Sequence, residues 1–320
     1  MAERQRIGVA LRDPLPWRDL VMVVETAEET GFEAAFFPEI PGGRDTLAAI
    51  TGLGAHSSSL RLGTGVVPVP SRRLPLLAMA AATAQERTGG RLVLGLGSGL
   101  PGPGSLDRVR AAVEFLRDSL AGHEAKDPDT GEAFGLTLEP GGAPPIWVAA
   151  LGDRMVELAG EIADGVLLNW CTPERVRRAS ATVAESAARA GRDPAAVTIA
   201  VYVRGCLGAE EATALEALGA AAGQYAAMPH YRRQLDALGL GEPAAAAAAA
   251  IGRGRPQEVP QELVRALCLV GDVEGAKRRL DDYRSAGATL PVVYPVPVLD
   301  APSSIMSTML AVAPSPVLEP

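Results

Sequence analysis

Eight short apolar runs recur along the 320 residues: Ile7–Leu11, Ala34–Phe37, Arg61–Val66, Leu92–Leu96, Ile146–Ala150, Gly165–Asn169, Thr198–Val203 and Leu290–Tyr294. Most are nearly continuous in apolar character rather than alternating. A strand with one wet face alternates; a strand buried on both faces does not, and that is the habit of parallel sheets covered by helices. Parallel neighbours need long crossovers, and the segments between the runs carry helix signals. Thr172-Pro173 offers an N-cap followed by proline at the first helical position, and Gly191 closes that helix. Asp272 caps a stripe of Val273, Ala276, Leu280 and Tyr283 that Gly287 ends. Ile305–Val312 reads as a last helix. Eight such repeats predict an α/β fold, a (β/α)₈ TIM barrel spanning 1–320 as one domain, with its active site at the C-terminal strand ends. A doubly wound sheet is the alternative that the same alternation allows. Two segments exceed a minimal barrel. Lys126–Gly142 is polar and glycine-rich, and an insertion near 241–260 contains seven successive alanines, Ala244–Ala250. Alanine favours helix, but the run offers no obvious face for packing.

Composition narrows the partners. The hydrophobic share is 48% and aromatics are only 4%, so the core is aliphatic. A net charge of −8 argues against a nucleic-acid footprint and a basic membrane patch. Cys171, Cys206 and Cys268 are odd in number and widely spaced, which suits a reducing cytoplasm better than a disulfide framework or a zinc site. No apolar run is long enough to span a bilayer, and Ile7–Leu11 is too short for a signal-peptide core. The expectation is a cytoplasmic protein with a small-molecule substrate and no metal.

The third and fourth runs end in glycine: Leu62-Gly63-Thr64-Gly65-Val66, and Leu94-Gly95-Leu96-Gly97-Ser98-Gly99. Glycine there lets the chain bend and lets a flat ligand approach the main chain. Gly97-Ser98-Gly99-Leu100-Pro101-Gly102 matches the dinucleotide fingerprint literally. Pro101 and Pro103 delay the helix it requires, however, and no strand follows near Glu124. A glycine-rich loop at a barrel mouth is the better reading.

In this order the motifs resemble the luciferase-like flavin and deazaflavin oxidoreductases. Pro144-Pro145-Ile146-Trp147-Val148-Ala149-Ala150-Leu151-Gly152 resembles their fifth strand and phosphate-binding turn. Glu161-Ile162-Ala163-Asp164-Gly165-Val166-Leu167-Leu168-Asn169 resembles the methylene-tetrahydromethanopterin-reductase branch. The resemblance implies a TIM barrel, a homodimer, and hydride transfer between coenzyme F420 and an organic substrate. An FMN-dependent monooxygenase, or a barrel that binds ligand without catalysis, are the alternatives. It further implies a non-prolyl cis peptide at Gly65-Val66 behind the deazaflavin ring. Thr64, Gly65, Val66, Gly97, Ser98, Gly99, Ala149, Ala150, Leu151 and Gly152 then hold the cofactor, with backbone N–H groups at 150–152 on its phosphate. Phe37-Pro38-Glu39-Ile40 carries the family's acidic residue but has Ile40 where histidine is usual. Glu39 becomes the candidate catalytic group for orientation or proton handling, and Asp13 a weaker one. Of the histidines, His56 and His123 read as surface residues and His230 as a candidate pocket residue. No G-x-S-x-G supports a serine hydrolase.

Overall fold

The computed structural model describes residues 5–12, 15–138 and 141–314, so Asp13 lies outside the described residues. Eight parallel strands follow one another in the sheet: Gly8–Ala10, Ala34–Phe37, Arg61–Thr64, Leu92–Gly97, Ile146–Ala149, Gly165–Asn169, Thr198–Gly205 and Leu290–Pro295. The eighth pairs with the first, Gly8 opposite Val292, and the sixth with the seventh, so the sheet closes. This is the (β/α)₈ TIM barrel; a doubly wound sheet would have two free edges. Two strand ends differ from the sequence reading by two residues, and the others by one or none. The third stops at Thr64, and the chain rejoins the fourth strand at Val67–Pro68. The seventh continues past Val203 to Gly205. After the fourth helix, Ala125–Lys126 and Ala133–Phe134 pair antiparallel within the polar excursion.

The internal contacts divide the chain into two compact units. One comprises Ala10–Leu167 and Ala181–Thr198. Its strand interiors show why glycine appears inside apolar runs. A Cβ on Gly63 would lie 2.6 Å from the Phe36 ring, and one on Gly165 would lie 2.8 Å from Trp147. The two rings, 5.3 Å apart, take the space that the glycines leave. At the N-terminal ends of these strands the ties are ionic. Arg91, just before the fourth strand, donates to the carbonyls of Gly54, Ser57 and Leu60. Asp164, before the sixth, accepts from Ile146 N at 2.8 Å and pairs with Arg117 and Arg192. Glu28 accepts from Ser58 Oγ and from the amides of Ser58, Ser59 and Leu60.

The other unit comprises Leu168–Ser180 and the chain from Ile199 onward, with the segment ending at Val9. Asp272 Oδ1 accepts from Gly275 N at 2.6 Å and caps Val273–Ser285, which Gly287 closes at φ +105°. Thr172 Oγ1 caps the helix Pro173–Arg189 through Arg175 N at 3.3 Å. Between the seventh strand and Cys268–Leu269 run four helices: Glu211–Ala226, Pro229–Ala237, Gly241–Gly252 and Gln261–Leu267. The alanine run forms most of the third and does have a packing face. Ala244, Ala247 and Ala250 are fully buried. Across from them a Cβ on Gly223 would lie 2.5 Å from Ile251 Cγ1 and 3.2 Å from the Ala247 carbonyl. Methyls against glycine let the two backbones approach closely, so the face is defined by smallness rather than shape. No helix of the described residues is long and apolar enough to cross a membrane.

Partial burial pushes the Glu28 carboxyl up, but the hydrogen bonds from Ser58, Leu60 and Ser59 outweigh it and hold the group down at about 2. A depressed carboxyl contributes stability that is fully present above its unfolded value near 4.5 and is lost as pH falls toward 2. Glu28→Gln should therefore lower Tm at neutral pH and flatten the fall in Tm across that acid window. Parallel Tm–pH curves for the two proteins would refute this role.

Candidate active site

The ends of the third and fourth strands are shaped by one hydroxyl. Thr64 Oγ1, fully buried, donates to the Gly95 carbonyl and accepts from the Gly95 amide, both at 2.8 Å. Gly95 must be glycine, because a Cβ there would lie 2.1 Å from the Thr64 carbonyl oxygen. Beyond Thr64 the Gly65–Val66 peptide is cis, as the family resemblance implies. Its groups are tied to the second strand: Gly65 N donates to Phe37 O at 2.8 Å, and Val66 O accepts from Glu39 N at 3.3 Å. Gly97 serves this turn directly, since a Cβ on it would lie 2.6 Å from Val66 Cγ2. Gly65 and Val66 are half-buried at the strand ends, Ser98 is half-buried and Gly99 exposed. Gly99 has φ +68°, and the next helix starts only at Ser105, so a dinucleotide fingerprint is absent.

The fifth strand delivers a second backbone feature. Ala149 is half-buried, and the Ala150 amide is already spent on the Leu167 carbonyl at 3.1 Å, so Ala150 cannot offer it to a phosphate. Leu151 and Gly152 lead into the helix Asp153–Ile162. Gly152 is exposed, has φ −87°, and nothing lies within 4 Å of where its Cβ would stand. The residues present fit a bulky cofactor here: the turn is open, and the helix start supplies backbone donors.

Glu39 is not a lone carboxylate. Arg72 Nε lies 3.0 Å from each of its oxygens, and Arg72 Nη2 also bonds Oε2. Ser71 Oγ donates to it at 3.0 Å. The same guanidinium bridges to Asp45 Oδ2 at 2.7 Å. A carboxylate occupied on both oxygens is built to orient its neighbours. Ile40 lines a small apolar pocket with Leu11, Phe37 and Leu20. His56 pairs with Glu25 at 3.1 Å and His123 is exposed. His230 is half-buried against Tyr231, and burial pushes its imidazole down, Arg233 adding to the effect.

The second unit carries a group that the sequence reading missed. Arg204, one residue from the end of the seventh strand, is 4% exposed. Its guanidinium lies 4.4 Å from the Trp170 ring, 4.5 Å from Tyr294 and 5.3 Å from Tyr225. It bonds Asn169 Oδ1, and Asn169 Nδ2 donates to Tyr231 Oη at 2.7 Å. The available signal was a single arginine inside an otherwise apolar strand. Burial pushes the Cys171 and Cys268 thiols up to about 12, so neither is a poised nucleophile.

The chain belongs to the luciferase-like monooxygenase family, whose sequence signature matches residues 4–290. It is 33% identical over 187 residues to 5,10-methylenetetrahydromethanopterin reductase of Methanolobus tindarius, covering 55% of this chain and 57% of that one. The enzyme of the same name from Methanopyrus kandleri is 27% identical over 304 residues, covering 85% and 87%. In three dimensions the chain superposes on the coenzyme F420-dependent tetrahydromethanopterin reductase of Methanopyrus kandleri with a TM-score of 0.82, at 25% identity over 95% and 96% of the two chains. The chain thus spans little more than half the length of the Methanolobus tindarius enzyme.

Gly95→Ala should destabilise the fold by about 3 kcal/mol, the upper end of overpacking, because its new methyl meets backbone. Gly152→Ala, into open space at an ordinary φ, should change stability by under about 0.5 kcal/mol. Urea unfolding of both variants checks the contrast. Equal losses would show that the tight contact at Gly95 does not govern stability.

Proposed function

We propose that this protein is a coenzyme F420-dependent oxidoreductase that transfers a hydride between the deazaflavin and an organic substrate. The observation that carries the reading is the likeness, over nearly the whole barrel, to an F420-dependent reductase. The open strand-end turns are compatible with it. Thr64, Gly65, Val66, Gly97, Ser98, Gly99, Ala149, Leu151 and Gly152 are the residues proposed to hold the cofactor, with Ala150 contributing position rather than its amide. When bound, the deazaflavin supplies a two-electron hydride acceptor or donor. The chain's own work is to present main chain to a flat ring, to offer the amide at Gly152 to an anionic group, and to exclude water. Glu39 is assigned to orientation through Arg72 and Ser71. The reading treats the chain as one barrel domain with a helical insertion near 241–260. The boundaries between the two units fall inside the first, sixth and seventh strands and inside the helix Pro173–Arg189 rather than in linkers, which supports this. A homodimer in the cytoplasm is proposed. Three free, buried cysteines suit a reducing compartment, and exposed Leu76 and Met79 on one helix suit a subunit contact.

Titrating the purified protein with F420 and with FMN, followed by absorbance, tests the cofactor. F420 should bind at least about tenfold tighter, and turnover should continue without oxygen. Tight FMN binding with oxygen consumption would instead make it a monooxygenase. Glu39→Gln should lower turnover at saturation by less than about 100-fold, below the range for a lost general acid or base, with the shape of the pH–rate profile kept. A larger loss that removes one limb of the profile would make Glu39 a proton carrier.

A further inference from the structure

Among the described residues nothing neutralises the positive charge of Arg204. A buried guanidinium is costly unless it is paired or fully hydrogen-bonded. Among the described residues no carboxylate pairs with it, and its hydrogen-bond acceptor is the neutral amide oxygen of Asn169. The ionisable neighbours do not supply an anion either. Burial pushes Tyr202, Tyr231, Cys171 and Cys268 up, so all stay protonated near neutral pH. The three aromatic rings compensate the charge through its face. They leave the in-plane donors, of which a guanidinium has five and Asn169 takes one. Those donors form the fork that matches a carboxylate.

A second donor in the same cluster has no partner. Trp170 Nε1 is buried, 2% exposed as a residue, and makes no hydrogen bond. An indole N–H can only donate, and buried orphans are uncommon enough to need a reason. Its backbone is held in an unusual state: Trp170 has φ +53°, and Gln234 Nε2 clamps the carbonyls of Asn169 and Trp170 at 3.0 and 2.7 Å. A bulky residue kept at positive φ by its surroundings points to a site rather than to a packing accident. Asn169 and Tyr225 are only half-buried, which gives the cluster an open side. The donors sit at the C-terminal ends of the sixth and seventh strands, the end where barrels of this class place ligands.

We propose that Arg204 and Trp170 Nε1, with Asn169 and the Tyr225 and Tyr294 rings, form a binding site for a carboxylate of the substrate. The protein thereby selects an organic acid with an apolar body. This rests on the oxidoreductase reading only for the word substrate; the site itself stands on Arg204 and Trp170. Arg204 is a binding residue here, and Gln234 a positioning residue that sets Trp170.

Calorimetric titration of the intact chain with benzoate, its neutral isostere benzamide and inorganic phosphate tests the site. Benzoate should bind at least about tenfold tighter than benzamide, the scale of a hydrogen bond to a charged group, and tighter than phosphate. Arg204→Met should bring benzoate down to the benzamide level, and Arg204→Lys should recover only part. If Arg204→Met does not fold, Trp170→Phe carries the test. It keeps a ring, and should weaken benzoate several-fold while leaving benzamide unchanged. Benzoate no tighter than benzamide, or a folded Arg204→Met that binds benzoate as well as the parent, would overturn the site. Phosphate binding tighter than benzoate would overturn the carboxylate class. Benzoate affinity unchanged at saturating F420 supports the substrate as source. Competition would overturn that assignment and give the site to the cofactor's own anionic groups. Failure of F420 to bind, with benzoate recognition intact, would sink the F420 reading and leave the site standing.

Discussion

The reciprocal bond between Thr64 Oγ1 and the Gly95 peptide is the constraint on which one end of the barrel depends. A hydroxyl that both donates and accepts replaces a rung of the ladder where the third strand turns away. With Gly95 lacking a side chain, the two strands stay in contact at this point. The chain can then leave the sheet for Gly65–Val66 and return at Val67 opposite Leu96. Gly97 receives the Val66 side chain, and the second strand fastens the turn through Phe37 and Glu39. Three segments far apart in sequence are thereby fixed relative to one another, with one side chain and two missing ones at the centre.

The barrel was legible because burial on both faces writes itself into sequence as uninterrupted apolar character. Ala34–Phe37 and Gly165–Asn169 have the bounds that their composition indicates. The third strand read too long because a turn held by tertiary contacts keeps the same apolar residues as the strand before it. Gly97 reads as a ligand glycine, yet its space is taken first by Val66. The Ala150 amide looked available for the same reason: its acceptor, Leu167, lies on a neighbouring strand that local sequence does not reveal. Arg204 does not stand out because a charge normally ends a buried run, so the sequence predicts a strand that stops at Val203. Its cluster draws on residues 169, 170, 225, 231 and 294, a convergence that no spacing rule contains.

The polar chemistry is sorted along the strands. At their N-terminal ends Glu28, Arg91 and Asp164 act on backbone groups, tying chain entries to one another, each through several hydrogen bonds or ion pairs. At the C-terminal end Arg204 is stacked between rings with no counter-charge among the described residues, and Trp170 Nε1 has no acceptor. Ions that are paired or hydrogen-bonded, Glu39 with Arg72 among them, hold backbone and neighbours in place, whereas the donors left over at Arg204 and Trp170 are free for a ligand.

The alanine helix has a consequence of its own. Where Gly223 faces Ile251 and Ala247, the distance between two helices is set by the absence of side-chain matter, not by an interlocking shape. Such a contact behaves like a shim. Each added methylene at position 223 would widen the gap between the backbones by a roughly graded amount, instead of breaking a unique fit. The helix Glu211–Ala226 also carries Tyr225, a ring of the Arg204 cluster. Position 223 is therefore a place where the spacing around a binding pocket can be adjusted from outside it, by the size of a residue that touches no ligand.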